Sequence, residues 1–235
     1  MKCVILAGGK GTRLTEETKV KPKPLVKIGG KPIIWHIMKI YSYYGINKFI
    51  ICLGYKGNIL KKELKRFCLN ENWDIKYLET GIETMTGGRI KKTQKYIKKD
   101  KYFCLSYGDG LSSVNIKDLI KFHIKRDKIA TLTAIRYKNP KGILKINNRS
   151  VIQKIREKPI EYINGGFFVL SKKIFKYLKN NKTIFEKDCL PKLADIGQLN
   201  AFKHEGFWGC MDTLREKEEL NQIWKSKFKA WKVWI

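Results

Sequence analysis

From the first residue, short β-rich apolar runs alternate with stretches of helical period. Cys3 to Ala7 reads as a strand, and 33 to 44 places Ile33, Ile37, Ile40 and Tyr44 at helical spacing before Gly45 as a C-cap. Lys48 to Leu53 is the next strand, and 58 to 69 repeats the helical pattern with Ile59, Leu60, Leu64, Phe67 and Cys68. Asp74 to Leu78 reads as extended, 90 to 98 as helical and Tyr102 to Ser106 as extended. This βαβαβαβ order predicts an α/β, Rossmann-like, mostly parallel mixed sheet with helices on both faces. Its ligand sites are expected at the carboxyl ends of the strands. Beyond residue 115 the pattern predicts a helix over Ile116, Leu119, Ile120 and His123, a strand at 130 to 136 and a hairpin around Asn147-Asn148. A strand at Phe167 to Leu170, helical stretches at 172 to 179 and 186 to 196, and a β pair around 201 to 210 follow. A last helix runs from Thr213 into an aromatic end containing Trp224, Phe228, Trp231 and Trp234.

Of the 235 residues, 43% are hydrophobic and 12% aromatic, which excludes a disordered chain. No apolar run approaches the roughly 20 residues of a spanning helix, and the N-terminal one is too short for a signal peptide, so the expected setting is the cytoplasm with no membrane partner. The six cysteines (3, 52, 68, 104, 189 and 210) form no C-x-x-C pair and read as reduced core thiols. The formal charge of +29 raises nucleic acid as a partner. Against this, 42 of the 50 cations are Lys and 8 are Arg, scattered without a localised basic-aromatic cluster. Base readout favours Arg, and single-strand binding needs interleaved aromatics, so no nucleic-acid partner is expected. Attraction of anionic small molecules remains.

The candidate chemistry sits at the predicted strand ends. Strand one runs into Gly8-Gly9-Lys10-Gly11-Thr12-Arg13, where three glycines in four positions can turn backbone N–H groups toward one anion. Lys21-Pro22-Lys23-Pro24 fixes the backbone on both sides of Lys23, so its ammonium can be aimed at little entropic cost. Thr84-Met85-Thr86-Gly87-Gly88-Arg89 supplies a second glycine pair that could approach a flat base, although it would equally serve as a helix entry. Tyr107-Gly108-Asp109-Gly110 places a carboxylate at the end of a central strand, where a hard cation would find an oxygen ligand, and Asp212 is its candidate partner. Glu157-Lys158-Pro159 and Asn164-Gly165-Gly166 offer acceptors, a cation and close backbone to a polar second ligand. The three histidines show neither metal spacing nor a nucleophile-base pairing.

Taken together, LAGGKGTRL at 6 to 14, KPKPLVKIGGKPI at 21 to 33, MTGGR at 85 to 89, YGDG at 107 to 110, EKP at 157 to 159, NGGFFVL at 164 to 170 and GFWGCMDTLRE at 206 to 216 resemble the sugar-phosphate nucleotidyltransferase family over nearly the whole chain. The resemblance implies a single domain, 1–235, with a nucleotide-binding half (1–114) and a sugar-phosphate-binding half with a C-terminal helix (115–235). It implies attack of a sugar-1-phosphate oxygen on the α-phosphorus of a nucleoside triphosphate. Arg13, Lys23 and Asp109 would be catalytic. Leu6, Ala7, Gly8, Gly9, Gly11, Thr12, Arg13, Lys23, Thr84, Met85, Gly87, Arg89 and Gly108 would hold the nucleotide, and Gly142, Glu157, Lys158, Asn164 and Gly165 the sugar phosphate. Asp109 and Asp212 would bind Mg²⁺. The 85-to-89 run and tryptophan-rich end are most similar to cytidylyl-transferring members, implying CTP and glucose-1-phosphate as substrates and a homo-oligomer. The stretch between Glu79 and Met85 is shorter than in those members.

Overall fold

The structure, a computed structural model, describes residues 1–12 and 14–234. β1 (Cys3–Leu6) leads through the glycine loop and α1 (Thr15–Thr18) into a 3₁₀ turn at Lys23–Leu25 and a hairpin of β2 (Lys27–Ile28) and β3 (Lys31–Pro32). There follow α2 (Ile33–Tyr43), β4 (Lys48–Leu53), α3 (Gly57–Phe67), β5 (Asp74–Glu79), α4 (Thr86–Lys92), α5 (Gln94–Ile97), β6 (Tyr102–Tyr107) and β7 (Gly110–Ser112). The remainder is α6 (Ile116–Arg126), β8 (Ala130–Lys138), β9 (Ile143–Ile146), β10 (Ile152–Arg156), β11 (Ile160–Ser171), α7 (Leu190–Asp195), β12 (Leu199–His204), β13 (Trp208–Cys210) and α8 (Leu214–Lys225).

The sheet runs β12-β8-β11-β6-β1-β4-β5. β5, β4, β1 and β6 are mutually parallel, as is the β8–β12 pair, and β11 is antiparallel to both neighbours. This is the α/β architecture that the alternating pattern predicts. One core joins α2, α3 and α6 to one face of the sheet, with Ile5, Ile37, Ile51, Leu64, Leu119 and Trp231 buried in it; the other, containing Val4, Ile90, Phe103, Phe168 and Leu193, joins α4, α5 and α7 to the opposite face. Five of the six cysteines are buried, and all six are free thiols.

Several elements differ from the sequence expectation. β11 extends over twelve residues rather than Phe167 to Leu170, because its first half pairs with β8 across a register shift between Asn164 and Phe168 that interrupts the period-2 pattern. The expected β pair around 201 to 210 does not form: β12 joins β8 in the large sheet, while β13 pairs with β7. Phe202 packs edge-on to Phe122 of α6, holding β12 to the sheet. The stretch at 90 to 98 is two helices, the first beginning at Thr86. The 172-to-179 stretch is a 3₁₀ helix at Lys172–Tyr177, and the 186-to-196 stretch opens as a π-helical turn, Phe185–Cys189. That turn precedes Pro191, which has no N–H to give a regular α-helical ladder.

The helix α8 starts at a capping box in which Thr213 and Glu216 satisfy each other's backbone N–H groups, and it ends at Lys225. The aromatic tail then folds back. Trp231 is fully buried, stacks on Trp224 at 5.7 Å between ring centres and points its indole N–H at Nδ1 of His36, 3.4 Å away. The other ring nitrogen of His36 meets the Ile28 carbonyl at 2.8 Å, and Trp234 lies edge-on to Trp35. Both His36 and His123 are fully buried, and burial pushes each down to about 4.

Trp231→Ala should cost about 3–5 kcal/mol of unfolding free energy in urea titrations, since it empties the seat of a large buried ring. The histidines predict a pH trend of definite sign. The unfolded chain takes up protons near 6.5 that the fold refuses until about 4, so stability is flat above pH 7 and falls between those values. Unfolding free energy at pH 5 should lie below that at pH 7.5 by about 2 kcal/mol per histidine; equal values would contradict burial of neutral rings.

Candidate functional site

The parallel strands deliver three loops to one edge of the sheet. After β1 the chain passes through Gly8 and Gly9 to Gly11, whose φ of +66° suits a residue without a side chain. After β6, Gly108 passes so close to β1 that a Cβ on it would lie 2.9 Å from the Leu6 carbonyl oxygen. Asp109 follows at once, and its carbonyl accepts the Met211 N–H at 3.0 Å, tying the 211–212 segment to the end of β6. Asp212 is held in turn by α8, where Glu216 Oε2 accepts its backbone N–H at 2.7 Å.

At the centre lies Lys23. Its Nζ donates to Asp109 Oδ2 at 2.7 Å and to Asp212 Oδ1 at 2.6 Å, joining groups 86 and 189 residues away in the chain. Burial alone would lower its pKa, but the Coulombic pull of Asp109 and the hydrogen bonds to both carboxylates outweigh it, and the net direction is upward. The ammonium therefore stays charged at neutral pH. Both carboxylates remain partly open to solvent, so oxygen donors from two loops converge where a cation sits. This donor set fits a hard divalent ion; among the described residues no group of three or more His, Cys, Asp or Glu could hold one alone, so ligand oxygens would have to complete the shell.

Asp109 borders three cavities. One, of about 330 Å³, is lined by Leu6, Ala7, Gly9, Gly11, Thr12 and Lys23 with Gly108 and Thr86. The second, of about 410 Å³, lies between Gly8, Gly9 and the Thr84, Met85 and Arg89 loop. The third, of about 220 Å³, is bordered by Tyr107, Asn164, Gly165, Trp208 and Asp212. The Trp208 indole N–H donates to the Gly165 carbonyl at 2.8 Å and fixes that wall.

Arg89 is almost completely buried. Nη1 donates to the Leu53 carbonyl at 2.9 Å and to the Thr80 hydroxyl, while Nη2 donates to the Gly8 carbonyl at 3.0 Å and the Ile82 carbonyl at 3.1 Å. Those four bonds account for the N–H groups of both terminal nitrogens. The guanidinium thus pins the ends of β1 and β4 to the 80–82 turn, and desolvation lowers its pKa. Thr84 turns its hydroxyl inward to the Thr80 carbonyl at 2.6 Å, whereas Met85 is exposed and gives its N–H to Asn181. Gly87 touches Thr183, which a Cβ would approach to 2.7 Å.

The structure thus brings Leu6 to Thr12, Lys23, Thr84 to Thr86, Arg89, Gly108, Asp109, Asn164, Gly165 and Asp212 around one cleft system, while Gly87 packs against Thr183 behind it. Gly142, Glu157 and Lys158 lie outside the lining of its cavities. They flank the β9–β10 hairpin, with Gly142 beside the Glu157 carboxylate. Arg13 lies outside the described residues. Among the lining residues without a role in the sequence reading are Thr86, Tyr107 and Trp208. All three lie inside motifs already noticed, and the β7–β13 pairing sets Trp208 beside the cleft. The Tyr107 hydroxyl donates to Glu186 Oε1 at 2.6 Å, and burial followed by that carboxylate's charge pushes its pKa upward.

The nucleotidyl transferase family profile matches residues 2–224. The chain is 45% identical to the glucose-1-phosphate cytidylyltransferase of Salmonella typhimurium over an alignment of 257 positions covering all of both chains. It is 44% identical to the probable glucose-1-phosphate cytidylyltransferase of Bacillus subtilis, again over the full length of both. Among solved structures, HddC from Yersinia pseudotuberculosis superposes with a TM-score of 0.75 at 28% identity, over 95% of this chain and 99% of that one. A putative glucose-1-phosphate thymidylyltransferase from Bacillus anthracis, 22% identical over 95% of this chain and 94% of that one, shares the fold at a TM-score of 0.73.

Gly8→Ala tests how tightly the cleft floor is built. A Cβ there would stand 2.1 Å from Arg89 Nη1 and 3.0 Å from the Gly54 nitrogen, so the variant should lose about 1–3 kcal/mol in urea unfolding. Unchanged stability would mean that Arg89 does not fill this space.

Proposed function

Because the chain belongs to the nucleotidyl transferase family, matched from residue 2 to 224, we propose that it transfers the cytidylyl group of CTP to glucose-1-phosphate, forming CDP-glucose and pyrophosphate. The observation that carries the reading is the meeting of Lys23, Asp109 and Asp212 beside a glycine cradle, in a chain that aligns end to end with cytidylyltransferases. In this reading the backbone of Gly8 to Thr12, with Arg13, receives the triphosphate. The 84-to-89 loop faces the base, and the cleft at Asn164 and Gly165 receives the sugar phosphate, with Gly142, Glu157 and Lys158 on its outer side. The halves 1–114 and 115–235 form one domain that meets at Asp109.

A phosphate monoester is already anionic at pH 7, so the chain need supply neither a nucleophile nor a general base. Its task is alignment and charge. Lys23, held by two carboxylates on a proline-fixed turn, presents a fixed ammonium to the α-phosphate region, where charge shifts toward the leaving pyrophosphate. Asp109 and Asp212 would hold Mg²⁺, which when bound adds positive charge beside the phosphate oxygens. A cytoplasmic setting suits these substrates, and among the described residues no helix is long and apolar enough to cross a membrane. Exposed Leu144, Ile146, Ile152 and Ile155 on the β9–β10 hairpin favour a homo-oligomer.

Pyrophosphate release should show a kcat/KM for CTP at least about a hundredfold above UTP and dTTP with glucose-1-phosphate fixed, because cytosine offers an N4 donor and N3 acceptor that backbone groups can select. A preference for UTP or dTTP would refute the cytidylyl reading. Asp109→Asn, Asp212→Asn and Lys23→Met should each lower kcat by at least about 10²-fold, more than they raise KM. Full activity in any of them would remove that residue from the mechanism.

A further inference from the structure

One carboxylate outside the clefts is bonded to side chains in all three of them. Glu186, on the π-helical turn Phe185–Cys189, is not among the residues lining any of the cavities described above. Its Oε2 accepts from the Thr86 hydroxyl at 2.6 Å, and its Oε1 accepts from the Tyr107 hydroxyl at 2.6 Å. The line continues at both ends. Thr86 Oγ1 accepts the Phe185 N–H at 2.9 Å, and the Tyr107 hydroxyl accepts from Asn164 Nδ2 at 3.3 Å, whose Oδ1 takes the Gly166 N–H at 2.9 Å. Every donor direction is compatible: amide to phenol, phenol to carboxylate, and threonine hydroxyl to the same carboxylate. Hydroxyl-to-carboxylate bonds of this length belong to the strong charge-assisted class.

The partners give the line its meaning. Thr86 borders the glycine-loop cleft and the base-side cleft, Tyr107 the base-side and sugar-side clefts, and Asn164 the sugar-side cleft. Backbone contacts reinforce the base-side end, where Met85 N–H bonds Asn181 and Gly88 N–H bonds Thr183, so the 181–186 segment braces the whole loop. At the sugar-side end Gly166, at φ +78°, lies against the Tyr107 ring, which a Cβ would approach to 2.8 Å. A π-helical turn is also rare, and such turns are frequent at functional sites.

We propose that Glu186 is a positioning residue that sets the nucleotide and sugar-phosphate clefts in register through the Thr86–Glu186–Tyr107–Asn164 line, so that each substrate's affinity depends on a carboxylate neither one touches. This rests on the assignment of the clefts under Proposed function. The π-helical turn delivers the carboxylate, and Thr86 and Tyr107 carry its effect to the substrates. Binding at one cleft then orders part of the other, which is coupling between sites through a shared hydrogen-bonded element.

The test is steady-state pyrophosphate release by the full chain, with KM for CTP and for glucose-1-phosphate each measured at saturating partner. Glu186→Ala and Tyr107→Phe should each raise both KM values about tenfold, the loss expected for a charge-assisted hydrogen bond. The double variant should add little, since both break one line. Glu186→Gln, which keeps one acceptor oxygen, should recover part of the loss. Tyr107→Phe keeps the ring and so tests the line even if Glu186→Ala fails to fold. A change in melting temperature with both KM values unmoved, a change confined to one substrate, or additive effects in the double variant would overturn the proposal. A wild-type protein that releases no pyrophosphate would instead overturn the functional reading beneath it.

Discussion

Everything in the cleft is organised around one ammonium that two carboxylates share. Lys23, Asp109 and Asp212 come from a proline-fixed turn, a central strand end and the cap of the last helix. Two carboxylates brought together without a cation would repel, and a buried lysine without them would lose its charge. Each of the three segments is therefore placed by demands that the other two create. The sheet supplies Asp109, the capping box supplies Asp212, and the Pro22–Pro24 frame removes the freedom that Lys23 would otherwise lose.

A second cation is used in the opposite way. Arg89 gives its terminal N–H groups to two strand ends and a turn, so its charge is spent on shaping the cleft floor. Lysine could not replace it, because an ammonium lacks the planar fork that reaches separated carbonyls at once. The large positive net charge acts differently from both. Exposed lysines raise the local concentration of anions over distances of about a Debye length, roughly 8–10 Å at physiological salt, without selecting among them. Selection belongs to groups whose geometry is fixed.

Legibility in the sequence followed the range of the interactions. The glycine cradle, Lys23 between prolines and Asp109 between glycines could be read because their local chemistry is unusual at their own positions. The parallel half of the sheet could be read for a similar reason, since period-2 and period-3.6 runs alternate cleanly through β6. Glu186 could not, because nothing near it in sequence distinguishes it from a surface acid. It acquires its place from partners 79 and 100 positions away, and Trp208, noticed in its motif but given no role, from one 43 positions away. The first half of β11 was hidden by the Gly165–Gly166 interruption, which the register shift later explains. Gly142, Glu157 and Lys158, which motif likeness assigns to the sugar phosphate, flank the β9–β10 hairpin, with Gly142 beside the Glu157 carboxylate.

The folded-back aromatic tail bears on when this protein can become competent. Trp231 seats against His36, and Asp212 reaches Lys23 across 189 residues, so the centre is closed by segments translated after the strands that receive them. At about 5–20 residues per second, the strands β1 to β6 leave the ribosome well before α8 does. The nascent chain can pair those strands early, but its carboxylate pair is incomplete until residue 212 has emerged. Until then Lys23 lacks one of the two carboxylates that hold it in the folded chain, and order of synthesis becomes order of assembly at the cleft.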